Sequence, residues 1–341
     1  MSADQADDRL VAEDVYRSFK VTSKGRKAVL TAVNGVSLSI SPSETVALVG
    51  ESGSGKSTLG RMMLGLDQPT EGRVLYQGRD VNALDRAQWR DFRREVQVIF
   101  QDTGSSLNPR RSIGDSVEMP LLYNLGLDRR EARARVADLL DTVGLPPDTF
   151  INRSPLELSG GQRQRVSIAR AMASEPRFIV ADEAVSALDV SVRAQVLKVM
   201  KEIQHSRQLS YLFITHDLGV VRAIADRVVV MYLGEIVESG PASIVLEQPS
   251  HPYTRSLLAA APRPDPTMRT LARAQVKGEI PSPIEPPLGC RFHTRCPIAR
   301  DVCATTVPAA VDFGDGSLAA CHFADEVRSG AGPWTAEERS A

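Results

Sequence analysis

Cysteine is absent before residue 290, and no apolar run is long enough to cross a membrane as a helix. Such a helix needs about 18–20 apolar residues. The longest candidates, 227–233 and 256–261, are of strand or short-helix size. Residues 1–8 are acidic and polar, without the cationic start and apolar stretch of a secretory signal. These absences predict a chain that stays in the cytoplasm and that works at a membrane only as a peripheral subunit. Net charge is lacking too: 41 Lys and Arg face 42 Asp and Glu, leaving −1. No global basic field draws nucleic acid, so no nucleic-acid partner is expected. No internal repeat is visible. The 341 residues, with ordinary apolar content, suffice for one large core or for a core with an appendage.

What is present starts where the apolar run Thr45–Val49 ends. Gly50-Glu51-Ser52-Gly53-Ser54-Gly55-Lys56-Ser57-Thr58 fits the phosphate-binding pattern GxxxxGK[ST] at each fixed position. The glycines let the backbone curl so that successive N–H groups point inward, and the helix that follows offers its positive end to phosphates. Lys56 then reaches the β/γ-phosphates and Ser57 ligates Mg²⁺, so the cofactors expected are ATP and Mg²⁺.

Around this motif, runs at 10–19, 29–40 and 45–49 alternate with turn residues and predict antiparallel strands leading into the nucleotide-binding strand. A helix is expected over 56–66, short strands over 72–76 and 96–100, and a charged amphipathic stretch over 85–94 between them. From 108 to about 143 the pattern is helical and charged, ending at Gly144. Regular α/β alternation follows: helix 160–173, strand 177–182, helix 190–206, strand 210–215, helix 218–225 and strand 227–232. Beyond Pro241 the chain turns proline-rich, at Pro262, Pro264, Pro266, Pro281, Pro283, Pro286 and Pro287, which predicts an accessory region behind an extended linker.

The apolar run before Asp182-Glu183 is a strand ending in two carboxylates. Asp182 suits the Mg²⁺ shell, and Glu183, one residue on, can orient or deprotonate the attacking water. Standing alone, the pair could also be a solvated acidic turn after a strand. It is joined by Leu158-Ser159-Gly160-Gly161-Gln162, where Ser159 caps a helix whose glycine-flanked N-terminus leaves N–H groups open, a second anion site.

With the phosphate loop, these motifs resemble the ABC ATPase family over residues 10–240. The resemblance implies an α/β fold: a P-loop NTPase core with an antiparallel β subdomain, a helical insertion at about 101–175, and a small C-terminal cysteine-containing module. Two cassettes pack head to tail in that family, so Ser159, Gly160, Gly161 and Gln162 serve the partner's ATP. Gln101 matches the Q-loop glutamine at Mg²⁺ or water, Ser186-Ala187-Leu188-Asp189 the D-loop, and His216 the switch histidine near the γ-phosphate. Phe19 aligns with the adenine-stacking aromatic ahead of Tyr16.

Narrower features resemble the dipeptide/oligopeptide importer ATPases: Gln101-Asp102 with Ser105 to Arg110, the 181–191 segment, and His251-Pro252-Tyr253-Thr254 with Leu257-Leu258. Val185-Ser186, Asn108-Pro109-Arg110, Tyr232-Leu233-Gly234 and Pro262 to Pro266 look like the second, F-type subunit. The implied partners are a homologous D-type ATPase, two transmembrane permeases and, indirectly, an extracytoplasmic solute-binding protein, at the cytoplasmic face of the cell membrane. Ala184 departs from the family, which usually has proline after the catalytic glutamate. The implied layout is a disordered 1–9, the ATPase domain 10–240, a C-terminal extension 241–330 and a tail 331–341.

Cys290, Cys296, Cys303 and Cys321 are separated by five, six and seventeen residues, unlike paired CxxC zinc knuckles. Unpaired thiolates suit an iron–sulfur cluster, and zinc or four reduced thiols also fit. The resemblance implies a [4Fe–4S] cluster there, with His293 and His322 near enough in sequence to substitute. A rival to transport is a cytosolic redox-responsive regulator in which such a cluster gates an ATP switch.

Overall fold

The computed structural model describes residues 8–23, 25–101, 106–260 and 278–330. Most of the expected disordered N-terminus, the tail 331–341, Asp102, Ser105 and the prolines at 262, 264 and 266 lie outside the described residues.

Thr45–Val49 is buried at every position and runs inside an eight-stranded sheet. The strand order is Ala310–Asp312, Leu318–Ala320, Glu235–Pro241, Arg227–Tyr232, Thr45–Val49, Ser210–Thr215, Phe178–Asp182, Val96–Ile99. The last five are parallel. Strands this uniformly apolar need cover on both faces, which helical crossovers between parallel strands provide. The register aligns Val49 with Thr215, Asp182 with Ile214 and Ala181 with Ile99. Gly50, Glu183, His216 and Gln101 therefore leave the sheet side by side at its C-terminal edge, the usual ligand edge of an open α/β sheet.

One face is covered by the helix Lys56–Met63 and an antiparallel sheet of order Arg26–Ile40, Leu10–Ser23, Glu71–Tyr76, Arg79–Asp80. Leu10, Val36, Leu38 and Ile40 share a core there with Leu59, Met62, Met63, Val46 and Leu48. The other face meets helices Ile113–Asn124, Arg129–Thr142 and Gly160–Met172, whose Val117, Leu140 and Ile168 pack with Ile179, Tyr211 and Phe213. The helical pattern expected over 108–143 is thus two helices, with Gly126 at φ +68° between them. Each has its own start: Ser112 and Asp115 form a capping box, and Asp128 accepts from the N–H groups of Arg130 and Glu131.

The C-terminal region, expected as an accessory region behind an extended linker, is in contact with the central sheet. Leu318–Ala320 hydrogen-bonds to Glu235–Pro241, adding a hairpin to the edge of the central sheet. Tyr253, Phe292, Cys290 and Cys296 share one core with Val49, Val230 and Tyr232. These three strands were not read from the sequence, because edge strands of three to seven residues carry too little alternation to register.

Candidate functional site

The phosphate loop closes over the end of Thr45–Val49. Gly55 lies at φ +101°, and a Cβ there would sit 2.1 Å from the Ala32 carbonyl oxygen, so only glycine fits. Lys56 is buried beneath the loop. Its Nζ donates to the carbonyls of Gly50 and Glu51, both at 2.8 Å, and to Ser54 Oγ at 3.3 Å. Burial lowers the Lys56 pKa, while Glu183, Asp182 and Glu51 push it back up. Ser57 Oγ donates to Asp182 Oδ1 at 3.0 Å. Burial holds the Asp182 carboxyl above its ordinary value, opposed by that hydroxyl.

Glu183 occupies the left-handed region at φ +46°. A non-glycine residue there is strained. Its N–H donates to the Ile214 carbonyl at 2.9 Å, and its own carbonyl accepts from Ser186 Oγ at 2.9 Å. Ala184, next along the chain, is buried. The Glu183 carboxylate lies between two side chains: Gln101 Nε2 donates to Oε2 at 3.0 Å, and His216 Nδ1 sits 3.3 Å from Oε1. The structure brings Gln101, Asp182, Glu183 and His216 together, with Gln101 turned to Glu183 rather than to Asp182. Hydroxyl and carboxylate oxygens at Ser57 and Asp182 are the hard donors that Mg²⁺ prefers.

Ser159 and Gln162 form a capping box: Ser159 Oγ accepts from the Gln162 N–H at 3.3 Å, and Gln162 Oε1 accepts from the Ser159 N–H at 2.9 Å. Gly161 packs so closely on the helix Val190–Arg207 that a Cβ would meet Val192 Cγ1 at 2.2 Å. These bonds are local, and Ser159 and Asp189 are exposed. Phe19 is half-buried on its strand, one ring face covered by the Arg17 guanidinium at 4.8 Å, and Tyr16 packs against Gly35.

Cys290, Cys296, Cys303 and Cys321 are free thiols that line one cavity with His251, Phe292, Ile298 and Phe323. Burial pushes Cys296 up to about 12 and Cys321 up to about 11. His293 Nδ1 bonds the Cys290 carbonyl at 2.8 Å and His322 Nε2 the Thr306 carbonyl at 2.9 Å, so both rings are engaged by backbone. Among the described residues, no three His, Cys, Asp or Glu side chains stand close enough to hold a single metal ion.

Sequence reasoning missed three arginines. Arg170 donates to the Ser106 carbonyl at 2.5 Å, anchoring the segment after Gln101. Arg193 ties Asp217 to the Leu188 carbonyl, joining the D-loop to the turn after His216. Arg295 grips Glu51 from the C-terminal region. Arginines in helices and loops are ordinarily surface residues, so nothing local marks these.

Residues 33–186 match the ABC transporter family, and residues 237–303 match the oligopeptide/dipeptide transporter C-terminal region. Among known proteins, a probable peptide ABC transporter ATP-binding protein of Sinorhizobium fredii is 46% identical over 320 residues, covering 93% of this chain and 90% of that one. The di/tripeptide transport ATP-binding protein DppF of Pseudomonas aeruginosa is 45% identical, covering 93% and 98%. Among solved structures, a dimeric post-hydrolysis ATP-binding cassette bound to ADP and Pi superposes with a TM-score of 0.61 at 31% identity, covering 68% of this chain and 98% of that one. A phosphate loop, a held carboxylate and a capped LSGGQ helix on such a sheet, together with these relatives, place the chain in the ABC transporter family as an ATP-hydrolysing cassette carrying the oligopeptide/dipeptide transporter C-terminal region.

Proposed function

We propose that the chain energises import of peptides or a related small solute from the cytoplasmic face of the cell membrane. Its partners in this reading are a homologous D-type ATPase, two transmembrane permease subunits and, indirectly, a solute-binding protein. One observation carries it: Glu183 is held between Gln101 and His216 beside the Ser57–Asp182 pair, at one edge of the sheet. Lys56 meets the β/γ-phosphates. Ser57 and Asp182, with Gln101, would hold Mg²⁺, which would supply neutralisation of phosphate charge. Glu183 orients or deprotonates the attacking water, and His216 keeps that carboxylate aimed at the γ-phosphate. Adenine stacks on Phe19, whose ring also meets the Arg17 guanidinium. Ser159–Gln162 and Asp189 meet the partner's ATP, so ATP closes the pair and hydrolysis reopens it. The relatives' names, which speak of peptide transport, support this reading over the redox-regulator alternative.

The same reading assigns a [4Fe–4S] cluster to Cys290, Cys296, Cys303 and Cys321, supported by the convergence of four soft donors on one cavity. Anaerobically purified protein is expected to carry stoichiometric iron and absorb near ~400 nm, and Cys296→Ser to lose both. Zinc without iron, or no metal, overturns the assignment. For the function itself, cells lacking the chain are expected to lose uptake of labelled di- or oligopeptides, restored by the wild-type chain and not by Glu183→Gln. Unchanged peptide uptake overturns the substrate class.

A further inference from the structure

Glu51, the first variable position of the phosphate loop, is held by the far end of the chain. Arg295 Nη1 and Nη2 donate to its two carboxylate oxygens at 2.6 and 2.9 Å. That two-pronged pairing adds geometric specificity to charge. The Arg295 side chain is 6% exposed, with the rings of Tyr232 and Phe292 at 5.8 and 5.9 Å from its guanidinium carbon. Nη1 also donates to Tyr232 Oη at 3.3 Å. The backbone of Glu51 is tied at both ends of the residue: its N–H donates to Tyr253 Oη at 2.7 Å, and its carbonyl accepts from Lys56 Nζ at 2.8 Å. Side chain and N–H are therefore fixed by the C-terminal region, and the carbonyl by the lysine of the phosphate site.

We propose that Arg295 is a positioning residue for ATP: through Glu51 it sets the peptide whose carbonyl holds Lys56, making the C-terminal region part of this chain's own nucleotide site. The inference rests on the phosphate loop being where ATP binds. A loop that must aim successive N–H groups at phosphates pays conformational entropy on binding unless it is ordered beforehand. Tyr253 and Arg295 supply that order from outside the loop, and neither is among the groups that carry out hydrolysis. Nor can either charge of the pair be removed cheaply, because the other is left desolvated without a counter-charge.

The test measures Mg·ATP binding to the full-length chain and the ATPase kinetics of the purified transporter. Arg295→Met is expected to weaken ATP binding about 10- to 100-fold, the scale of a charged hydrogen-bonded contact. KM for ATP should rise by a similar factor while kcat changes by less than about twofold. Arg295→Lys should recover part of the loss. Glu51→Gln, which preserves size and backbone, should weaken binding comparably and reads the same contact if the Arg295→Met chain does not fold. In the double variant the losses should not multiply, because both remove one interaction. Wild-type affinity in Arg295→Met or Glu51→Gln overturns the proposal, as do multiplying losses or a kcat that falls at unchanged KM. Lys56→Ala separates the two levels: if it binds ATP normally, the phosphate-loop reading fails and this inference with it.

Discussion

Glu183 shows how much a single residue is made to tolerate. Its left-handed backbone costs of order 1–3 kcal/mol and persists because the Ile214 carbonyl and Ser186 hydroxyl hold it there. The distortion turns the carboxylate out of the strand direction and into the space between Gln101 and His216. Glu183→Gln keeps the size of the side chain and its capacity to accept from Gln101, and removes the base. ATP affinity is expected to stay within a fewfold of wild type while turnover falls roughly 10²- to 10⁴-fold, trapping the ATP-bound dimer. The measurement is single-turnover hydrolysis in the assembled transporter with the partner ATPase carrying the same change, and wild-type turnover there would refute the role. The identity of this residue was legible because a strand ending in two carboxylates has few uses beside a phosphate loop. Its strain was not, since φ depends on neighbours that the sequence does not list.

At the scale of an element, the helix Gly160–Met172 starts at an exposed Ser159 cap. Ser159 and Gln162 satisfy each other, Gly161 fixes the distance to Val192, and Arg163 Nη1 donates to the Leu158 carbonyl at 2.6 Å. Ser159 is exposed, and the helix start is electrostatically suited to an anion. Ser159→Arg destroys the cap and fills the surface, while leaving Lys56 and the phosphate loop untouched. Nucleotide binding by the single chain is expected to be unchanged and ATP-driven closure with the partner ATPase to be lost, as read by size-exclusion chromatography with light scattering. Full hydrolysis by a demonstrably monomeric chain would remove the shared-site reading. This helix was readable from sequence at both ends, Ser159 three residues before Gln162 being the standard start signal. The break between Ile113–Asn124 and Arg129–Thr142 was not anticipated, because apolar residues continue on both sides of Gly126 and one glycine does not by itself end a helical pattern.

Across the whole molecule, the C-terminal region completes the ATPase core rather than trailing from it. Tyr232 lies 4.7 Å from Tyr253 and 5.2 Å from Phe292 between ring centroids, and Leu318–Ala320 supplies the hydrogen-bonding partner of Glu235–Pro241. Ending the chain after residue 241 uncovers those rings and bares a sheet edge. The thermal midpoint of the truncated chain is expected to fall by roughly 5 °C or more relative to full length, or the chain to aggregate. An unchanged midpoint would mean that the two regions are energetically independent. The amino-acid sequence by itself determined the chemistry of this protein: the phosphate loop, the strand-end carboxylates, the LSGGQ cap and the alternation of buried strands and helices are all local, and short spacings suffice to specify them. Only the tertiary structure decided that Arg295 meets Glu51 across 244 positions of chain, that four scattered cysteines line one cavity, and that the last hairpin joins the first nucleotide-binding sheet. Those pairings arise from which apolar faces remain to be buried once the local elements exist, and that is settled by packing in three dimensions rather than by any pattern along the chain.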